Sequence, residues 1–340
     1  PVLLVDEWAS RQPTDGAKRR RLADVCAERA KTSKKENISL LAANLSRRPA
    51  ERTFWIESAF AASGVTAGLH PIEAPVPFEF RTSREFEHGP LVTVLMSAFN
   101  SASTIRRAAK SILNQTWRNI ELIITDDAST DETGSLIAAL ALEDKRVKIR
   151  LNDRNLGAYI SRNAALSDST GQFITCHDAD DIAHPERLAI QITALTASRN
   201  VSNLSTWIRV GRDGRVAPTN FISFVQENYS SLLVRREVFD AIGYWDSVRT
   251  SGDSEYRDRM KRRFGAQSEQ KLRQVLALGQ FCTTTLTGNP EAEVSWLKFS
   301  PQRVRYRQAY KDWHRSIRAE DLYMPFPMDR RPFALPSILT

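Results

Sequence analysis

Cysteine is scarce: the 340 residues hold three, Cys26, Cys176 and Cys282, far apart along the chain. An odd and scattered set makes no disulfide framework and fits a reducing compartment. Long apolar runs are missing too. No stretch of about eighteen consecutive apolar residues occurs, so nothing reads as a membrane-spanning helix. Glycine is modest at 14 residues, and neither GxGxxG nor a GxxxxGK loop followed by Ser or Thr is present. An ordinary dinucleotide fold and a P-loop enzyme therefore lack their phosphate-cradling turn. What remains is globular in character, with 41% hydrophobic and 26% charged residues. The length exceeds what one hydrophobic core usually supports.

The one conspicuous excess is positive charge, 48 Lys and Arg against 40 Asp and Glu, a net +8. On its face this suggests nucleic acid, an anionic membrane or an acidic substrate. Its distribution narrows the choice. Residues 1–90 carry 14 basic and 12 acidic groups, 91–260 carry 20 and 21, and 261–340 carry 14 and 7. The surplus is C-terminal, in Lys261-Arg262-Arg263 and then Arg303, Arg305, Arg307, Lys311, Arg315 and Arg318. Tyr306, Tyr310 and Trp313 fall among them on one helical face. The economical reading is a helix packed through its aromatics with a solvated basic face. Contact with an anionic acceptor or an anionic membrane through 261–318 stands beside it, and a nucleic-acid partner is not expected.

The first ninety residues predict helices and then a connection. Residues 17–30 suit one helix, Asn37 is placed to cap a second running to Leu45, and Pro49 to begin a third that ends near Gly64. The prolines between His70 and Pro90 predict an extended linker over 71–90. At Leu91 the texture changes. Apolar β-forming runs at 91–96, 120–125, 147–151 and 173–176 alternate with helical patterns over 105–113, 136–142 and 158–166. This is the signature of βαβ units and a parallel sheet. Trp207–Val210, a turn at Arg212-Asp213-Gly214, and Arg215-Val216 read as a hairpin. Such sheets bind ligands beyond the carboxyl ends of their strands.

Acidic residues collect at those ends. The first strand runs into Ser97-Ala98-Phe99-Asn100, the second into Asp126-Asp127-Ala128-Ser129, and the fourth into His177-Asp178-Ala179-Asp180-Asp181. Carboxylates converging on one crevice repel unless a cation or hydrogen-bond donors offset them. In an extended segment Asp178 and Asp180 face the same way and can address one ion. Hard oxygen ligands without paired His or Cys suit Mg²⁺ or Mn²⁺, whose shell substrate phosphates complete. A nucleoside diphosphate is the expected ligand. The plainer readings are a helix-capping turn before His184-Pro185-Glu186 for the second acidic cluster and a helix start for Asp126-Asp127.

Seven segments, in order, carry a family resemblance: VTVLMSAFN (92–100), SILNQTW (111–117), IELIITDDASTDET (120–133), NLGAYISRNAAL (155–166), GQFITCHDADDIAHPERL (171–188), NYSSLLVRREVFDAIGYWD (228–246) and SGDSEYRDRM (251–260). Together they resemble the inverting family-2 glycosyltransferases of GT-A fold. The resemblance implies an α/β, Rossmann-like, mostly parallel sheet flanked by helices over 91–265. An N-terminal helical region (1–70) precedes it and a basic helical extension (266–340) follows. It implies that Ser97, Phe99 and Asn100 lie against the nucleoside and that Asp127 accepts from the uracil ring, with Asp126 shaping the pocket. Arg162 meets the diphosphate, and Asp178 and Asp180 serve ribose and metal. Asp181 touches the donor sugar or the metal. Asp253 is the general base, with Glu255 in reserve, and Trp245 and Asp246 face the acceptor.

Two positions depart from the family pattern: His177 precedes the DxD triplet, and Gly252 stands where many members have Glu. His177 and Cys176 read as packed residues, and Trp207, Tyr244 and Trp296 as core aromatics before sugar platforms. The expected activity is metal-dependent, inverting transfer from a UDP-sugar to a carbohydrate in surface polysaccharide or glycoconjugate synthesis. The expected location is the cytoplasm, with peripheral contact at the inner membrane face left open. A non-catalytic nucleotide- or glycan-binding module and a nucleotidyltransferase are the rival readings.

Overall fold

A computed structural model describes residues 36–74, 76–81, 89–218, 223–281, 294–295, 298–299 and 301–334. The helix expected over 17–30, Cys26, Cys282 and Trp296 lie outside them. The centre of the molecule is a nine-stranded sheet. Its first half comes from β3 (Val92–Ala98), β4 (Ile120–Asp126), β5 (Val147–Leu151) and β6 (Phe173–Cys176), given that β1 (Leu69–Pro71) and β2 (Phe78–Phe80) form a separate hairpin. These four run parallel in the order β5-β4-β3-β6. All seven residues of β4 are buried, as a strand covered by helices on both faces requires.

Alternation along β3 sorts the helices into two layers. Val92, Val94, Met96 and Ala98 share a core with α3 (Ile105–Leu113), α4 (Thr133–Glu143) and α6 (Arg187–Thr196). Leu95 points the other way, into a core with α5 (Ala158–Ser167), α7 (Arg236–Ile242), α8 (Gly252–Phe264) and α9 (Pro301–Ser316). In α3 the predicted stripe Ile105, Ala108, Ala109, Ile112 and Leu113 is the buried face.

Beyond β6 the sheet is mixed. β10 (Leu233–Arg235) runs antiparallel to β6, and β8 (Ser202–Val210) antiparallel to β10. β8 therefore regains the direction of β6, and β11 (Glu269–Gln280) runs parallel to it. Two short strands, β7 (Ile182–Ala183) and β9 (Gln226–Glu227), pair with β11 and β8. The sheet thus runs past the boundary drawn at 265, because Val275-Leu276-Ala277-Leu278 is an apolar run, 0–1% exposed, that completes the core. The turn at 211–214 closes as expected, with one bridge between Val210 and Val216.

The N-terminal helices α1 (Glu36–Leu45) and α2 (Pro49–Ala62) pack with the β1–β2 hairpin on β8 and β11. Asn37 sits inside α1 rather than capping it, and accepts from the Phe224 N–H at 2.8 Å. The expected linker is partly structured: Leu69 and Phe78 are buried, so the chain folds back as a hairpin instead of running extended. At the other end, Tyr306, Tyr310 and Trp313 of α9 are buried as predicted, while Arg305, Arg307 and Arg315 face solvent. The Tyr306 hydroxyl donates to Asp246 at 3.0 Å and the Tyr310 hydroxyl to Asp258 at 2.9 Å. The Tyr306→Phe variant keeps the ring and strips a buried carboxylate of a donor. It should cost about 1–3 kcal/mol in urea unfolding, whereas Arg307→Gln on the exposed face should change stability by under about 0.5 kcal/mol.

Candidate active site

The strands β3, β4, β6, β8 and β11 all end on one edge of the sheet, and the predicted residues gather there. The turns after β3 and β4 are stitched together. Asp127 N–H donates to the Ala98 carbonyl at 2.8 Å, Asn100 N–H to Ser129 Oγ at 3.0 Å, and Thr130 N–H to Asn100 Oδ1 at 2.8 Å. Asn100 and Ala128 take left-handed φ values of 48° and 61°, which bends both turns sharply. Ser97 is half-buried, and Phe99, at 47% exposure, lies open beside it.

Asp126 and Asp127 have structural duties here. Asp126 Oδ1 accepts from the Ser129 N–H at 3.0 Å. Asp127 Oδ1 accepts from Asn152 Nδ2 (2.7 Å) and Leu156 N–H (2.9 Å), and its Oδ2 from Gly157 N–H (2.8 Å). Asp127 therefore ties the start of α5 to the end of β4, placing negative charge at a helix N-terminus. It is only 3% exposed.

α5 carries Arg162 into the crevice, where its Nη2 is paired with Asp178 Oδ1. The guanidinium lies 5.7 Å from the Tyr159 ring centre. Burial opposes its charge, but the surrounding anionic groups, Asp178 and Asp253 among them, hold its pKa above the ordinary value. Arg162 thus feels both the DxD triplet and the expected base, which come from segments 75 residues apart.

The triplet itself is under electrostatic stress. Burial, with the Asp178 charge adding, pushes the Asp180 carboxyl up to about 6. Asp181 is 2% exposed and raised well above the carboxylate range, first by burial and then by Asp180 and Asp178. Its Oδ2 is buried without a hydrogen-bond partner. An arginine that the sequence did not flag answers from the other side: the charge of Arg209, near the end of β8, lowers both groups. Arg209 lies between the rings of Trp207 and Phe281, at 5.5 Å and 5.4 Å. Trp207 in turn lies flat on Gly279, where an added Cβ would meet its ring at 2.5 Å.

Beneath the triplet, Arg187 is fully buried and donates to Thr175 Oγ1 (2.8 Å), the Cys176 carbonyl (2.9 Å), His177 Nδ1 (3.1 Å) and Gln191 Oε1 (3.0 Å). Burial lowers its pKa to about 10. His177 is fully buried and its pKa is driven well below the usual value, by burial and then by Arg187. It is a neutral imidazole, accepting from Arg187 at Nδ1 and lying 3.2 Å from the Asp181 carbonyl at Nε2. It is a packing residue that orients the turn.

Asp253 lies in the first turn of α8, half-buried, after Ser251 in the left-handed region at φ 69°. Its Oδ1 accepts from the Ser254 N–H at 2.7 Å. The buried Tyr159 hydroxyl lies close enough that the Asp253 charge adds to burial in raising its pKa. The departure at Gly252 has a steric reason, since a Cβ there would sit 3.2 Å from the Tyr159 ring. Arg303 of α9, half-buried, is lowered in pKa by burial and held up by Asp253 and Tyr159. The C-terminal helix therefore reaches the crevice.

Three expected site residues go elsewhere. Glu255 is fully buried, bound to Arg259 through both oxygens (2.9 and 3.0 Å) and to His314 Nε2 at 2.9 Å. Two residues, about 200° of helix, separate it from Asp253, so it turns into the core and reaches no acceptor. Asp246 is fully buried between Arg331 Nε (2.9 Å) and the Tyr306 hydroxyl. Trp245 packs against Phe239 and Tyr256 at 5.0 and 5.2 Å. Both belong to the core under α9 rather than to an acceptor face.

Among the described residues no group of three or more His, Cys, Asp or Glu would hold a metal by itself. Asp178 and Asp180 nevertheless fit a hard divalent ion that takes its remaining ligands from water and phosphate. A cation beside them would stabilise the charged forms of the raised Asp180 carboxyl and the unpartnered Asp181 oxygen. No helix among the described residues is long and apolar enough to cross a membrane.

Residues 93–257 match the sequence profile of glycosyl transferase family 2. Among curated proteins, the succinoglycan biosynthesis protein ExoO of Rhizobium meliloti is 40% identical over 129 residues, 37% of this chain and 36% of that protein. The Escherichia coli UDP-Glc:alpha-D-GlcNAc-diphosphoundecaprenol beta-1,3-glucosyltransferase WfgD is 37% identical over 105 residues, 31% of this chain and 41% of that one. The chain thus spans well under half the length of these relatives. Among solved structures, Staphylococcus aureus TarS 1–349 in complex with UDP aligns over 56% of this chain and 61% of that one, with 18% identity and a TM-score of 0.47.

Two measurements probe this site. Asp180 is raised in the folded state from the ordinary 3.8 to about 6, so its contribution to stability is full below about pH 4 and is lost as pH rises through 6. Metal-free Asp180→Asn should therefore be more stable than the parent at pH 7.5 and no more stable at pH 4, as read by urea midpoints. Glu255→Gln should cost about 3 kcal/mol by leaving buried Arg259 without its counter-charge, with UDP affinity per folded molecule unchanged.

Proposed function

We propose, from the premise that residues 93–257 of this chain are a family 2 glycosyl transferase domain, that the protein transfers a sugar from a UDP-sugar to a hydroxyl of a carbohydrate acceptor. The observation that carries this reading is the convergence of Asp253 and the Asp178–Asp181 turn on one crevice through Arg162. The names of the relatives support it: one is a UDP-Glc-dependent beta-1,3-glucosyltransferase and another a succinoglycan biosynthesis protein.

The chemistry is a single in-line displacement at the anomeric carbon. The acceptor oxygen forms its bond to that carbon as the bond to the diphosphate oxygen breaks, and configuration inverts. Asp253 takes the acceptor hydroxyl proton, and the half-buried carboxylate is placed to do so without competing for bulk water. Arg162, paired with Asp178 on the side of the acidic turn, offers positive charge where the leaving group gains negative charge, while the charge of Arg303 acts on Asp253. Phe99 and the turn at 97–100 form the floor for the nucleoside, Asp127 accepts from the uracil ring, and Asp126 shapes the pocket. Asp178 and Asp180 would hold a divalent ion, which would supply charge neutralisation for the departing diphosphate. We assign the synthesis of surface polysaccharide or glycoconjugate as the setting, with the exposed basic face of α9 available to an anionic acceptor or membrane.

Removing the base separates chemistry from binding. Asp253→Asn should lower transfer by about 10²–10⁴-fold in a coupled UDP-release assay, with UDP affinity within about threefold of the parent. Near-parental turnover in that variant removes Asp253 from the mechanism. Absence of both transfer and donor hydrolysis in the parent, with intact UDP binding, favours a binding module instead.

A further inference from the structure

The acidic turn holds three carboxylates in four residues, and one of them has a cationic partner within the protein. Arg162 Nη2 is bound to Asp178 Oδ1, with the arginine side chain 11% exposed and the aspartate 36%. A surface pair of long side chains fluctuates and contributes little; a mostly buried guanidinium over an aromatic ring is held in place. Tyr159 provides that ring at 5.7 Å, on the same helix turn as Arg162.

Two cations cannot both neutralise Asp178 at full strength. The arginine is also incompletely satisfied where it lies, because its Nε is buried with no hydrogen-bond partner. A guanidinium binds phosphate oxygens through the same planar fork that binds a carboxylate. A diphosphate entering the crevice would give Arg162 a partner for the orphaned Nε and relieve Asp178 of its resident charge.

We propose that Arg162 is a resident counter-cation that occupies Asp178 until a nucleoside diphosphate draws it away, so that donor binding opens this carboxylate to a divalent cation. The inference rests on the nucleotide-sugar reading above. It makes donor and metal affinities cooperative through a residue of the protein, in addition to any direct contact between the two ligands. The coupling is reciprocal: whatever factor UDP adds to the affinity for the ion, the ion adds to the affinity for UDP. It also keeps the acidic turn from collecting divalent ions in the absence of donor. Arg162 is thereby a positioning residue for the diphosphate and a competitor of the metal.

The test measures Mn²⁺ binding directly, by the electron paramagnetic resonance signal of the free ion, with and without UDP. The proteins are the full chain and its Arg162→Gln, Arg162→Lys and Asp180→Asn variants. In the parent, Mn²⁺ alone should bind weakly and UDP should tighten it. In Arg162→Gln, Mn²⁺ alone should bind about tenfold more tightly, UDP alone more weakly, and the UDP-dependent gain should shrink. Arg162→Lys keeps the charge without the fork and should lie between; it serves as the readout if the Gln variant does not fold. Equal or weaker Mn²⁺ binding in both Arg162 variants, while binding still depends on Asp180, overturns the counter-cation and leaves the glycosyltransferase reading intact. Loss of UDP binding and of Asp180-dependent Mn²⁺ binding in the parent itself overturns both.

Discussion

Like charges at close range are the constraint around which this molecule is organised. The ends of β4 and β6 bring Asp126, Asp127, Asp178, Asp180 and Asp181 to one edge of the sheet, in a stretch of chain that carries no positive surplus of its own. Each carboxylate is answered differently. Asp126 and Asp127 accept backbone N–H groups of the following turns and of α5. Asp178 takes Arg162. Asp180 and Asp181 are left with the more distant charge of Arg209 and are forced up in pKa. The unequal answer matters for chemistry: the acids that accept backbone N–H groups hold the turns in place, and the poorly satisfied ones are where a cation is worth most.

Arg187 shows how far the scaffold goes to hold that turn. A fully buried arginine is costly unless its donors are used. Here three contacts fix the last two residues of β6 and the first residue beyond it, and a fourth goes to Gln191 one turn along its own helix. The neutral His177 follows from the same arginine, which blocks protonation from one side while burial blocks it from the other. Rigid support of this kind holds the functional carboxylates in a strained arrangement that they would not adopt alone.

The C-terminal basic segment, conspicuous in composition, turns out to be part of the helical layer that carries Asp253. Its helix α9 is bound to α8 and the preceding loop through Tyr310–Asp258, His314–Glu255 and Tyr306–Asp246, and Arg331 closes the last site. Three of these four ties are made to acids that sequence reasoning could equally have sent to an active site. Their burial decides otherwise. The same docking brings Arg303 beside Asp253, so one cation of the C-terminal surplus bears on the crevice while those at 305, 307 and 315 remain in water.

The α/β architecture and the ligand edge were legible in the sequence because they are periodic or local. Apolar runs made β3 to β6, the i, i+3, i+4 stripe made α3, and the acids following each run marked the edge. Ordered motifs gave the family. β11 was missed because a strand beginning 59 residues after the end of β8, with Lys271 and Arg273 in its first half, has no local pattern separating it from an exposed segment. The direction of a side chain from one helix was harder still. Asp253, Glu255 and Asp258 all lie within two turns of α8 and are chemically alike, yet one faces the crevice, one the Arg259–His314 core and one Tyr310. Local sequence thus set the composition of the acidic edge and the order of the elements, both being properties of short windows of chain. Which acids are satisfied, which arginine meets which carboxylate, and which residues of one helix reach the site depend on contacts between distant segments. Those only the tertiary structure decided.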